Sequence, residues 1–114
     1  MRRMVLTAAS ALFALALLLS FAPAARAQSF PSVISLPDGW LPEGVVTGRG
    51  PVIYAGSRAS GSIYAADLRT GEGRVLVQQS GRVAVGLSFD RRSNFIYVAG
   101  GPQGTAFVYD AASG

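Results

Sequence analysis

The stretch VIYAGSRASGSIYAADLRTG, residues 52–71, decides the fold. It has two short β-branched and aromatic runs, each closed by glycine, and it ends on an Asp before a Thr-Gly turn. Runs of this kind, separated by Gly and Ser, read as strands joined by tight turns. A shift of 43 residues brings the pattern round again. Ile53-Tyr54 falls on Ile96-Tyr97, Gly61 on Gly104, Asp67 on Asp110 and Gly71 on Gly114. Ile63-Tyr64 meets Ala106-Phe107, which keeps the aromatic. Gly44 pairs with Gly86 at a shift of 42, so the second copy carries one extra residue, assigned to the turn 90–94.

Outward from this stretch, the residues after position 27 carry no helical periodicity. The pattern predicts strands over Gly44–Thr47, Val52–Ala55, Ser62–Leu68 and Arg74–Gln78, then over Val85–Phe89, Phe95–Ala99 and Thr105–Asp110. Phe30–Leu36, with Val33-Ile34 at its centre, is expected to add one more extended strand. A period of 40–45 residues with about four strands per unit is the sequence mark of a propeller blade. The expected fold is therefore all-β and of β-propeller type, with about two four-stranded blades, the second incomplete, behind an N-terminal signal helix. The segments are 1–27 (signal peptide), 28–42 (extended), 43–84 (first blade) and 85–114 (incomplete second blade). A seven-stranded sandwich is the competing architecture, but sandwich strands have no reason to repeat at 43 residues.

The repeated residues have structural work to do. Gly61 and Gly104 suit tight turns with positive φ. Asp67 and Asp110 suit turns in which the carboxylate accepts backbone N–H groups. Tyr54, Tyr64, Tyr97, Phe107 and Tyr109 fit packing between neighbouring sheets.

The N-terminus reads as an export signal. Arg2 and Arg3 precede an uncharged run from Val5 to Ala22, and Ala25-Arg26-Ala27 gives the small-x-small cleavage pattern. An uncleaved anchor is the competing reading, since 18 apolar residues can barely span a bilayer. A signal implies a secreted or extracellular location (periplasm or cell wall in a bacterium), with only transient membrane contact. It also removes most of the charge. The whole chain is +4, but from Gln28 onward seven arginines face six acids, a net charge of +1. There is no lysine and no basic run longer than Arg91-Arg92, so nucleic-acid binding, which needs a clustered positive face, is not expected. With no Cys and no His, the chain holds no disulfide, thiol nucleophile, Ser-His-Asp triad or ordinary zinc site.

Leu41-Pro42-Glu43-Gly44-Val45, followed by Val52 to Gly56 and Gly61 to Tyr64, resembles the opening blade of the gluconolactonase and senescence-marker-protein (regucalcin) family of six-bladed propellers. Asp67 to Gly73 and Val98 to Gly101 resemble secreted members of that superfamily, and the resemblance covers most of residues 36–114. It implies a divalent cation, often calcium, at the central channel, with Glu43 matching one ligand position. The other ligands of such a site are Asn and Asp side chains, which this chain does not supply in place. The position corresponding to Glu43 in the second repeat is Val85, and the single asparagine, Asn94, falls in a turn. The plain alternative for Glu43 is a charged residue that helps a turn at Pro42.

About seven strands fall short of the two dozen a six-bladed propeller needs. The expectation is accordingly a fragment or truncated member, catalytically incomplete, acting at most as a binding or scaffold module. The alternative is part of a divalent-metal-dependent lactone or ester hydrolase with Glu43 as one metal ligand. No catalytic residue can be named.

Overall fold

Seven strands form two antiparallel sheets in the computed structural model, which describes residues 27, 29–78 and 80–114. The first sheet is a four-stranded meander: β1 (Pro42–Thr47), β2 (Val52–Ser57), β3 (Ile63–Asp67) and β4 (Gly73–Val77). The second is a three-stranded meander: β5 (Leu87–Asp90), β6 (Phe95–Ala99) and β7 (Ala106–Asp110). The seven strands expected between Gly44 and Asp110 are present within a few residues of their expected ends. The expected signal helix and the cleavage site lie outside the described residues, apart from Ala27.

Antiparallel register sends alternate side chains to opposite faces. Val46, Tyr54 and Ala65 align across the first sheet on one face, and Phe89, Ile96 and Tyr109 align across the second. These faces meet. Tyr54, Ile63, Ile96 and Val98 form the buried core with Leu76, Val77 and Ala84, and Leu87, Phe89, Phe107 and Tyr109 pack against it. The Tyr54 and Phe89 rings lie 5.7 Å apart across the junction. Contact is closest where β1 meets the start of β5. A Cβ on Gly44 would collide with the Val85 carbonyl and the Leu87 side chain, so only glycine lets the backbones approach this closely.

The 43-residue repeat has a structural counterpart. β3 and β7 start and end 43 positions apart. Gly61 and Gly104 both take positive φ, as do Gly71 and Gly114. Gly71 N–H donates to the Asp67 carbonyl and Gly114 N–H to the Asp110 carbonyl, each at 2.8 Å. One shared feature is not visible in the sequence. In the first sheet the register slips between Pro42 and Val45, so that Glu43 and Gly44 together face Gly56. In the second, Val85 N–H donates to Ala99 and Ala99 N–H donates to Gly86, so two residues again share one partner. Both inner strands thus begin on a bulge-like irregularity, which bends and twists a strand locally.

Two expectations are corrected. Phe30–Leu36 is not a strand. Pro31 within the segment and Pro37 just after it cannot donate to a ladder. It crosses the far face of the first sheet instead, with Pro31 and Ile34 beside the Gly71 turn. Val33, expected at its centre, is exposed. The second correction concerns the aromatics. Tyr97 is 43% exposed, because it pairs with Ser88 and Val108 on the face of the second sheet that points away from the first. Tyr64 also faces away from the junction, and packs edge-on against Trp40 with centroids 5.8 Å apart.

The connection from β4 to β5 is pinned at several points. Ser80 N–H donates to Ser60 O, and Ala84 N–H donates to Ser57 O. Arg82 places its guanidinium 4.3 Å from the Phe107 ring centroid and donates to the Tyr109 hydroxyl at 3.1 Å.

Candidate functional site

Glu43 is the one side chain singled out for metal binding. It sits in the opening irregularity of β1, exposed, in a groove of about 310 Å³ formed where residues 34–36 pass over the first sheet. Ile34, Leu36, Val45, Ile53 and Ala55 line the groove with it. That wall is carbon, not oxygen. A hard cation such as calcium takes six to eight oxygen ligands, and the groove offers one carboxylate. Among the described residues, no three acidic side chains come together. The residues around Glu43 therefore do not make a calcium site by themselves. Val85 closes against Gly44 from the second sheet, and Asn94 holds a positive-φ turn position beyond β5, so neither comes to Glu43's aid.

Three of the other acids are bound up in their own turns. Asp67 accepts from the Arg69 side chain at 2.6 and 3.1 Å and from the Arg69 N–H at 2.7 Å. The Arg69 hydrogen bonds hold its carboxyl below the usual carboxylate range. Asp90 accepts from the Ser93 hydroxyl at 2.7 Å and from the N–H groups of Arg92 and Ser93, which lowers its pKa in turn. Asp110 accepts from Ser113 and Ala112 N–H groups, with the same direction of shift. Each is an Asx-type turn cap. Sequence reasoning identified Asp67 and Asp110 in this role; Asp90, at the end of β5, joins them.

A wider open cleft, about 560 Å³, lies where the β3–β4 hairpin meets the chain beyond β7. Asp67, Glu72 and Arg74 border it, with Tyr54 at its floor. Burial raises the Tyr54 pKa, while the nearby Arg74 charge works against that rise. A phenol held more firmly in its neutral form is a poor base at neutral pH.

The most completely satisfied polar cluster is structural, and the sequence reading missed it. Ser57, fully buried, donates through Oγ to the Trp40 carbonyl at 2.5 Å and accepts the Ser60 N–H at 3.1 Å. Its own carbonyl takes N–H groups from Gly61 and Ala84. One serine thus ties together the N-terminal segment, the β2–β3 turn and the connection between sheets. The signal was present in the crowding of Ser57, Ser60 and Ser62 around Gly61. The Trp40 indole N–H, in contrast, is buried without a partner among the described residues.

Against known proteins, no family model, no curated protein and no solved structure matches this chain.

Proposed function

We propose that this chain is an exported, propeller-type β module that serves as a binding or scaffold element and not as a catalyst. Two sheet units built on the same 43-residue plan, stacked through their inner strands, are the arrangement neighbouring propeller blades adopt, and the blade-like sequence resemblance points the same way. The observation that carries the non-catalytic part is the deployment of the acids. Asp67, Asp90 and Asp110 each hold a turn through three or more hydrogen bonds, and Glu43 faces an apolar groove. A hydrolytic metal centre needs converging oxygen ligands and a bound water; the three aspartates are engaged in their own turns, and Glu43 stands alone among the residues lining its groove.

The test is a calcium titration of the wild-type chain and Glu43→Ala, followed by thermal unfolding and by hydrolysis of a simple lactone. The scaffold reading expects the same melting temperature with and without calcium in both proteins, and no hydrolysis. Calcium-dependent stabilisation that Glu43→Ala abolishes, together with lactone turnover, would favour the metal-dependent hydrolase and sink the scaffold reading.

A further inference from the structure

Seven arginines follow Gln28, with no lysine, and three of them occupy corresponding turns. Arg49 lies in the turn from β1 to β2; Arg91 and Arg92 open the turn from β5 to β6, 42 and 43 positions further on. Each turn joins two strands that pair with each other. β1 and β5 start side by side, where Gly44 meets Val85 and Leu87. At their other ends the two turns touch, and the Arg49 guanidinium donates through Nη2 to the Arg91 carbonyl. The stacking of the sheets thus sets three exposed arginines on one rim, at the opposite end of the strands from Glu43.

The aspartates near this rim are committed elsewhere. Asp90 accepts from the Ser93 hydroxyl and from the N–H groups of Arg92 and Ser93, so it meets the backbone of Arg92 and not its guanidinium. Asp67, tied to the first turn through the hydrogen bond from Leu68 N–H to Pro51 O, holds Arg69 in the one ion pair among the described residues. Asp110 is folded onto Ala112 and Ser113. Arg49, Arg91 and Arg92 therefore have no carboxylate at ion-pair distance among the described residues. Gathered like charges raise a local potential that a bound anion relieves. The planar fork of N–H donors on a guanidinium matches the oxygens of a phosphate group, which it can meet with two parallel hydrogen bonds.

We propose that this rim is an anion site that takes a phosphate group between the guanidiniums of Arg49, Arg91 and Arg92. The group comes either free in solution or on a phospholipid headgroup; the chemistry of recognition is the same. The site is open to water, so each pair alone is weak, worth up to about fivefold in affinity. Affinity comes from the three acting together, and salt screens it. The site exists only because two sheets stack: either turn alone carries one or two of the three charges. The inference rests on the binding-module reading and gives it a ligand class. Its test reads the arginines, whereas calcium titration reads Glu43, so each can fail without the other.

The test follows the arginine Nε–H resonances of the full chain, in its processed form, as inorganic phosphate is added at constant ionic strength. Sedimentation with vesicles of phosphatidylcholine, with and without phosphatidylglycerol, is the second arm. Arg49, Arg91 and Arg92 should shift together and saturably, while Arg58, in the β2–β3 turn at the other end, stays still. Arg91→Gln and Arg92→Gln keep the Arg91 carbonyl and the Arg92 N–H, so the turn persists and each should weaken binding up to about fivefold. The triple variant with Arg49→Gln should lose binding and keep wild-type circular dichroism. Should it fail to fold, R92Q alone decides, since its side chain makes no hydrogen bond among the described residues. Sedimentation with the anionic vesicles that the triple variant loses assigns the lipid headgroup; saturable phosphate binding without it assigns the soluble group. Binding in neither arm, a shift equally large at Arg58, or binding that the triple variant or R92Q leaves unchanged overturns the proposal.

Discussion

Ile96→Ala is the sharpest probe of the junction between the sheets. Ile96 is on the middle strand of the second sheet and 0% exposed, with Phe89 and Tyr109 beside it in register. Truncating a buried isoleucine costs about 2–5 kcal/mol, and the cost rises when the surroundings cannot collapse into the cavity. Here β6 is held on both sides by ladders and the first sheet closes the top. The low end of that range is therefore excluded, and the expected cost is about 3–5 kcal/mol. Small domains have only about 5–15 kcal/mol in all, so the loss is readily seen. Ile96→Val, which removes one methyl group's worth of carbon, should cost about 1 kcal/mol. The assay is urea unfolding followed by two signals. The single tryptophan, Trp40, lies on the far side of the first sheet, so its fluorescence reports a region Ile96 does not touch. Far-UV circular dichroism reports both sheets. If the sheets share one core, Ile96→Ala moves both midpoints together. A Trp40 transition that stays in place while the dichroism shifts, or a total loss under about 1 kcal/mol, would refute the shared core.

Other consequences follow from single contacts. Gly44→Ala drives a Cβ into the Val85 backbone and Leu87, and should destabilise by about 1–3 kcal/mol as overpacking at a site with little room to move; unchanged chemical denaturation would contradict the close approach. Ser57→Ala removes the donor to Trp40 O and the acceptor for Ser60 N–H, leaving buried groups unpaired at a cost of about 1–3 kcal/mol and shifting Trp40 emission. The turn aspartates set the acid response. Asp67, Asp90 and Asp110 all have folded pKa values below their unfolded ones. Their contribution is therefore present above the unfolded pKa of about 3.9 and is lost as pH falls through the lower folded values. Melting temperature should be level near neutrality and fall in acid below about pH 4, with a shallower fall in Asp90→Asn; an acid slope that Asp90→Asn and Asp110→Asn both leave unchanged would contradict the capping role.

The strands and their turns were legible in the sequence because the physics there is local. Glycine closes each run, β-branched and aromatic residues fill the strands, and an Asp two residues before a backbone N–H makes its own turn wherever it occurs. The direction of Tyr97 was not legible. Its facing depends on which parity of β6 meets the first sheet, and Ile96 and Tyr97 are equally suited to either side until the partner sheet is in place. The opening irregularities at Glu43-Gly44 and Val85-Gly86 were hidden for a related reason. Both repeats carry one, so they leave the spacing unchanged; the step from 42 to 43 comes from the β5–β6 turn, where the extra residue was expected, since Thr47 pairs with Ile53 across residues 48–52 and Phe89 with Ile96 across residues 90–95. Phe30–Leu36 looked like a strand by composition, but composition does not supply a ladder partner, and Ile34 and Leu36 lie over a sheet face instead, with Phe30 and Val33 exposed. Glu43 was located correctly at the head of β1; what surrounds it, the groove under Ile34 and Leu36, arises from a segment whose path only tertiary packing decides.

The central claim is that two like sheets stack face to face through β1 and β5. Nuclear Overhauser contacts on the isotope-labelled chain test it most directly. The account predicts cross-peaks from the Leu87 methyl groups to the α-protons of Gly44 and Gly56, and between the rings of Tyr54 and Phe89. Intact ladders within each sheet, with none of these contacts between them, would contradict it.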